Sequence, residues 1–171
     1  MSPSATAVIL VGLQFPQLIR VFVGVLLVAT ALAPAAQATT TAMSQKERTL
    51  LSVVNDVRAV HNLAPLAVDR KLLAAARGHS ETMIREDVFT HGSFFERLAQ
   101  SGAQGPAFGE NLAWGTSRMR ARTIVRMWME SPGHRANLLR PGWRRVGIGA
   151  RIGSFLGHNG AIVVTADFAG S

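Results

Sequence analysis

The chain contains no cysteine. That absence excludes a disulfide framework, a thiol nucleophile and thiolate metal ligands, so the fold has to be held by its own apolar core. Acidic residues are scarce as well: 10 Asp and Glu stand against 18 Lys and Arg, for a formal net charge of +8 at pH 7. Such an excess favours anionic surroundings, which outside a cell are wall polymers, lipid head groups or acidic glycans, under an attraction that salt screens. Nucleic acid is not an expected partner. Long apolar runs are missing, because Gln14, Pro16, Gln17 and Arg20 interrupt the stretch from Ala7 to Ala33, and Val21 to Ala33 alone is too short to cross a bilayer comfortably. There is no His-x-x-x-His pair, no Gly-x-Ser-x-Gly, no phosphate loop and no dinucleotide fingerprint, which removes the common motif-based enzyme classes. No internal repeat is visible.

What is present begins with an export signal. Residues 1–38 carry a single charged side chain, Arg20, ahead of the apolar run, and Ala36-Gln37-Ala38 supplies the small residues a signal peptidase requires. Cleavage is expected after Ala38, leaving residues 39–43 as a short linker and 44–171 as one domain with no stable membrane span. A start codon assigned too early and an uncleaved anchor are the alternatives.

Within that domain, Ser44-Gln45-Lys46-Glu47 has the spacing of a capping box, and Leu50, Val54 and Val57 recur at helical intervals to about His61. Asn62 to Pro65 breaks this helix, Leu66 to Val68 is a short extended link, and Asp69 caps a second helix that runs to about Glu86. The stripe Leu72, Ala76, His79, Met83 turns His79 toward the core as a structural histidine. A third helix is expected over 93–99, a turn over 101–106 and a strand over 111–115. Ser117 is expected to cap a fourth helix that Pro132-Gly133 ends or bends, with Arg118, Arg120, Arg122 and Arg126 as its solvated side. Val146 to Ile152 and Ala161 to Phe168 read as a hairpin turning through Gly157-His158-Asn159-Gly160. Without βαβ alternation, the class is α+β, a three-layer α/β/α sandwich with a small, mainly antiparallel sheet.

The residue types that carry chemistry are dispersed. His91 follows a helix and precedes Gly92, so its ring is free to enter a cleft; Glu110 sits between Gly109 and Asn111, where the backbone can approach closely. His134 follows the Pro132-Gly133 break near free backbone donors of another short helix. Two imidazoles with one or two carboxylates suit either a divalent transition metal or a general acid/base pair, and spacings of this length identify neither. Ser131 reads as a helix C-terminal hydroxyl rather than a nucleophile, and Trp114, Trp128 and Trp143 as core or cleft-wall residues.

Taken in order, Asn55-Asp56-Val57-Arg58, Ala64-Pro65-Leu66, His79-Ser80-x-x-Met83, Phe89-Thr90-His91, Gly109-Glu110-Asn111, Trp128 to Leu139 and Val146-Gly147-Ile148-Gly149 resemble the CAP superfamily. These are the SCP-like or cysteine-rich secretory, antigen 5 and pathogenesis-related 1 proteins, here in their bacterial extracellular form. The resemblance implies an α/β/α sandwich whose central cleft holds a tetrad of two histidines and two acids, able in some relatives to bind a divalent metal such as zinc. His91, Glu110 and His134 match three tetrad positions. The fourth falls on Ser131, with Glu130 one place earlier, which makes both candidates for the cleft.

The expected function is a secreted binding or signalling module at the cell exterior whose cleft holds a lipid, a glycan or a cell-wall fragment without turnover. The competing expectation is a metal-assisted hydrolase or peptidase in which His91 and His134 hold the ion and Glu110 activates water.

Overall fold

The computed structural model describes residues 42–170, so the expected leader, residues 1–38, lies outside the described residues. Helix α1 (Gln45–Val60) starts where its capping box predicts: the Ser44 hydroxyl accepts from the Glu47 N–H, and the Glu47 carboxylate accepts from the Ser44 N–H at 2.7 Å. Asp69 caps α2 (Arg70–Glu86) by accepting from the Lys71 and Leu72 N–H groups, and Asp87 ends that helix in the left-handed region. Between them lies β1 (Ala67–Val68), and after them α3 (Phe94–Ser101) and β2 (Phe108–Thr116).

Helix α4 (Ala121–Glu130) begins later than Ser117 suggests. Its N-cap is Arg120, without a side-chain cap. Ser117 is held by tertiary contacts instead, its N–H donating to Gly160 O and its carbonyl accepting from Lys46 Nζ. Pro132 then opens a separate helix, α5 (Pro132–Leu138), because proline fits a first turn but not a helix interior. Strands β3 (Trp143–Phe155) and β4 (His158–Gly170) form the expected hairpin with a tighter turn than the sequence suggests. Leu156 and Gly157, at φ 47° and 76°, make the whole connection, and the ladder resumes at Phe155 opposite His158. Two left-handed residues match the twist of the strands they join, so His158 to Gly160 remain in the strand.

The four-stranded sheet has the order β1-β3-β4-β2, with β1 parallel to β3 and the other pairs antiparallel. On one face Val146, Ile148, Val164, Ala166 and Phe168 pack with Leu50 and Val54 of α1, Ile124 and Trp128 of α4 and Leu138 of α5. The alternate residues meet α2 and α3. Helix α2 lies directly on the sheet because Gly147 and Gly149 have no side chain: a Cβ at Gly147 would come within 2.0 Å of the Leu72 backbone, and one at Gly149 within 2.4 Å of Ala76. Both faces being covered, β4 is buried from Ala161 to Gly170.

One buried cation positions α5. Arg58 is fully buried, and its guanidinium donates to the carbonyls of Ala64, Leu138, Arg140 and Trp143. Burial, and then the nearby Arg144, hold its pKa below the usual arginine value. The carbonyls at the end of α5 are thereby satisfied from α1.

Candidate functional site

Strand β2 is an edge of the sheet, and α5 wraps that edge. Asn137 Nδ2 donates to the backbone oxygen of Glu110 and to Asn111 Oδ1, both at 3.0 Å, while Asn111 Nδ2 donates to the backbone oxygen of His134 at 3.0 Å. The free rim of an edge strand is thus paired by side chains rather than by another strand. Gly109 makes the approach possible, since a Cβ there would lie 2.8 Å from Asn137 Oδ1 and 2.9 Å from Trp143 Cζ2.

Strand alternation turns Glu110 toward the α2 side and Asn111 toward the α5 side. Glu110 is buried, 6% exposed, and both its oxygens are engaged. His91 Nδ1 lies 2.7 Å from Oε1 and donates to it, and the Arg97 guanidinium donates to Oε2. Arg97 also donates to the backbone oxygen of His91 at 3.2 Å, which ties α3 to the loop before it. His79 Nε2 stands 3.9 Å from Glu110 Oε2 but donates to Thr90 O at 2.8 Å. Burial and then the Arg97 charge hold the His79 pKa below the usual histidine value, against the pull of Glu110.

His91, Phe94 and Glu110 form one wall of a pocket of about 400 Å³, and Ser131, Gly133, His134 and Asn137 form the other. His134 is half-buried, and burial, followed by repulsion from His91, keeps its pKa low. His91, Glu110, His134 and Ser131 therefore converge on one hollow. Glu130 does not. It is exposed on α4 and faces Arg126 across one helical turn at 3.7 Å, because its place in the helix is on the solvent side that Trp128 turns away from.

One acidic residue escaped the sequence reading. Asp167 is the register partner of Glu110 on β4, is fully buried, and has no hydrogen-bond partner for either oxygen among the described residues. Burial pushes its pKa well above the usual carboxylate range and the neighbouring Glu110 pushes it further, with Arg97 opposing. The signal was a lone carboxylate in the apolar run Val163 to Ala169; the edge-to-centre register that makes it Glu110's neighbour is tertiary.

The donor set does not fit a divalent cation. Both Glu110 oxygens already face cationic or N–H groups, and a metal there would meet the Arg97 guanidinium head-on. Among the described residues no group of three or more His, Asp or Glu side chains is arranged to hold a metal ion. The Ser131 side chain, which lines the same hollow, makes no cap hydrogen bond to α5. The pocket offers instead a wall of imidazoles, a hydroxyl and an amide around a neutralised carboxylate.

The family model of the cysteine-rich secretory protein family, CAP, matches residues 51–168. The chain is 33% identical over 112 residues to the protein YkwD of Bacillus subtilis (strain 168), an overlap that covers 63% of this chain and 43% of that one. It is 32% identical over 108 residues to the membrane protein YlbC of the same organism, covering 60% of this chain and 31% of that one. The chain thus spans less than half the length of these curated relatives. Among solved structures it is similar to an extracellular protein of Bacillus anthracis that contains an SCP domain, with TM-score 0.60 and 26% identity over 74% of this chain and 40% of that one. An outer surface protein of Borrelia burgdorferi shares the fold at TM-score 0.61 and 20% identity, over 75% of this chain and 97% of that one.

Proposed function

Because this chain belongs to the cysteine-rich secretory protein (CAP) family, we propose that it is a bacterial binding module exported to the cell exterior, where its edge pocket retains a ligand without turning it over. The observation that carries the reading is the state of Glu110: both oxygens are engaged by His91 and Arg97, so no carboxylate is left to activate water. Export rests on the leader-like residues 1–38 and on the extracellular and outer-surface relatives. Among the described residues no helix is long and apolar enough to cross a membrane.

The ligand class that suits the pocket is a glycan or wall fragment. A hollow of about 400 Å³ takes one sugar-sized group: its lining is more apolar than polar, with Phe94 offering a ring face, and His91, Ser131 and His134 supply hydrogen bonds to hydroxyls or amides. The basic surface adds a salt-sensitive attraction to anionic wall polymers. Co-sedimentation of the mature protein with native wall material tests this. Retention should fall at least about tenfold in His91→Ala and His134→Ala, as expected for lost polar anchors. Undiminished retention in both variants, at a salt concentration that suppresses surface attachment, would remove the edge pocket from the account.

A further inference from the structure

Beyond the edge pocket, a line of aromatic rings continues along the same face of the sheet. Glu110, Leu112 and Trp114 alternate onto the α2 side of β2, so Trp114 stands about 13 Å from Glu110 along the strand. The Trp114 ring centroid lies 5.7 Å from that of Phe155 at an interplanar angle of 74°, and 5.4 Å from that of His158. Phe155 also meets Phe89, at 6.4 Å and 71°. Phe89 in turn belongs to the short segment that carries His91 into the edge pocket.

The buried ring of this set supports the others. Phe155 is 1% exposed, and its edge-to-face contacts fix the orientation of both neighbours. Phe89 is 41% exposed, His158 is exposed and Trp114 is half-buried. The exposure of Phe89 is not that of a frayed segment, because its backbone is held on either side: the Val88 N–H donates to Met83 O, and Thr90 O accepts from His79 Nε2 at 2.8 Å. Across the set, the Leu156 N–H donates to Asp87 Oδ1 and fastens the hairpin turn to the end of α2.

Trp114 differs from the other two tryptophans. Trp128 Nε1 donates to Leu112 O, and Trp143 is sealed in the core. The Trp114 indole N–H has no hydrogen-bond partner among the described residues and is not buried, so it stands at the surface. Ring faces with polar edges suit a pyranose, whose C–H face is apolar and whose rim carries hydroxyls.

We propose that Phe89, Trp114 and His158 form a stacking platform that extends the edge pocket into a site for a glycan chain. The pocket takes one sugar and the platform takes another further along. Their separation along β2 exceeds the length of a monosaccharide, so only an oligomer engages both. This extension rests on the glycan reading of the edge pocket, which by itself requires no platform.

The test is nuclear magnetic resonance titration of the ¹⁵N-labelled protein with N-acetylglucosamine and with chitotetraose, its linear β-linked tetramer. Both probes are neutral, so the basic surface does not attract them. The monosaccharide should shift the His91 and His134 imidazole resonances and leave the indoles in place. The tetramer should shift these imidazoles and the Trp114 indole N–H, and bind roughly tenfold more tightly, the scale of one aromatic contact. Phe89→Ala and His158→Ala should each remove most of that gain; His158→Ala, on the exposed hairpin, should keep the parent's affinity for the monosaccharide. An undiminished gain in both variants would overturn the platform. A tetramer that gains nothing over a monosaccharide still shifting His91 and His134 would overturn the platform and spare the edge-pocket reading. Tetramer shifts at Trp114 with His91 and His134 unmoved would break the continuity and overturn the extended site, and no response to either sugar would overturn both readings.

Discussion

Glu110 on β2 and Asp167 on β4 are direct register partners, two buried carboxyl groups side by side on one face of the sheet. Like charges at that separation from water do not both ionise, and Arg97 with His91 stands over Glu110, not over Asp167. The proton therefore belongs on Asp167.

The consequence is a pH dependence of stability. Below the ordinary value of 3.8 both folded and unfolded Asp167 hold the proton, and nothing is lost. Above it the unfolded chain releases the proton while the folded chain keeps it, so the contribution of this residue to stability falls as pH rises toward the raised folded value. Asp167→Asn removes the titration and keeps the shape. Melting temperature should be maintained or raised at neutral pH, with a flatter profile between about pH 4 and pH 7 than the parent shows. A variant that loses stability more steeply with rising pH than the parent would contradict the protonated state.

Arg97→Ala should leave Glu110 buried beside Asp167 with His91 as its remaining close partner. Removing one member of a buried ion pair costs about 3–5 kcal/mol, and urea unfolding should register most of that. A loss under about 1 kcal/mol would mean that solvent screens the pair. Calorimetric titration of the parent with zinc should give no saturable binding in the micromolar range, because both Glu110 oxygens are already engaged, one of them by the Arg97 guanidinium that would repel a cation.

Arg58→Ala leaves four backbone carbonyls without their donor, including those at the end of α5. A destabilisation of about 3 kcal/mol is expected from lost charge-assisted hydrogen bonds and the emptied volume. Amide hydrogen exchange should rise most in α5, loosening His134 and Asn137 before the hairpin. Uniform acceleration across the sheet would show instead that Arg58 supports the whole core.

Two glycines of neighbouring character should respond oppositely to alanine. At Gly147 the new Cβ meets the backbone of Leu72 at 2.0 Å and of Leu73 at 2.1 Å, so α2 has to lift from the sheet at a cost of roughly 1–3 kcal/mol or more. Gly78, inside α2, has nothing within 4 Å of that position, and alanine there should stabilise by about 0.5–1 kcal/mol. Thermal melts of the two variants are the check, and a stable Gly147→Ala protein would refute the close seating of α2.

The pH behaviour of the histidines has the other sign. His79 and His134 both have folded pKa values below the ordinary 6.5, so their contribution is complete above that value and is lost as pH falls toward the folded values, where the unfolded chain takes up protons first. Glu47 adds an acid-sensitive step lower down. Burial raises its pKa, yet hydrogen bonds from Arg77 and the Ser44 N–H outweigh it, so its stabilisation is present above 4.5 and fades below. Acid unfolding of the parent should accordingly be biphasic in slope, and Glu47→Gln should remove the lower component. Equal acid slopes in parent and variant would exclude Glu47 as its source.

Much of this fold was legible from short-range chemistry. The Ser44 capping box, the Asp69 cap, the Pro132 break and the paired late strands act over a few residues, so their signals lie in the chain itself. Ser117 misled because its hydroxyl is an acceptable cap in isolation, while its backbone is claimed by Gly160 and Lys46. The hairpin turn misled because four polar or glycine residues all tolerate a turn, and only the β3–β4 ladder selects Leu156-Gly157.

The sequence by itself determined which residue types would meet: two imidazoles, a carboxylate after a glycine, and a proline-led short helix, all set by local backbone preference. Tertiary structure decided what those groups became. Glu110 receives Arg97 from α3, Asp167 from β4 and Asn137 from 27 residues away, and its charge, its neighbour's proton and its unsuitability for a metal follow from that surrounding. The reason is physical: caps and periodicity depend on neighbours along the chain, whereas the energy of a buried charge depends on every group within a few ångströms, whichever part of the chain supplies it.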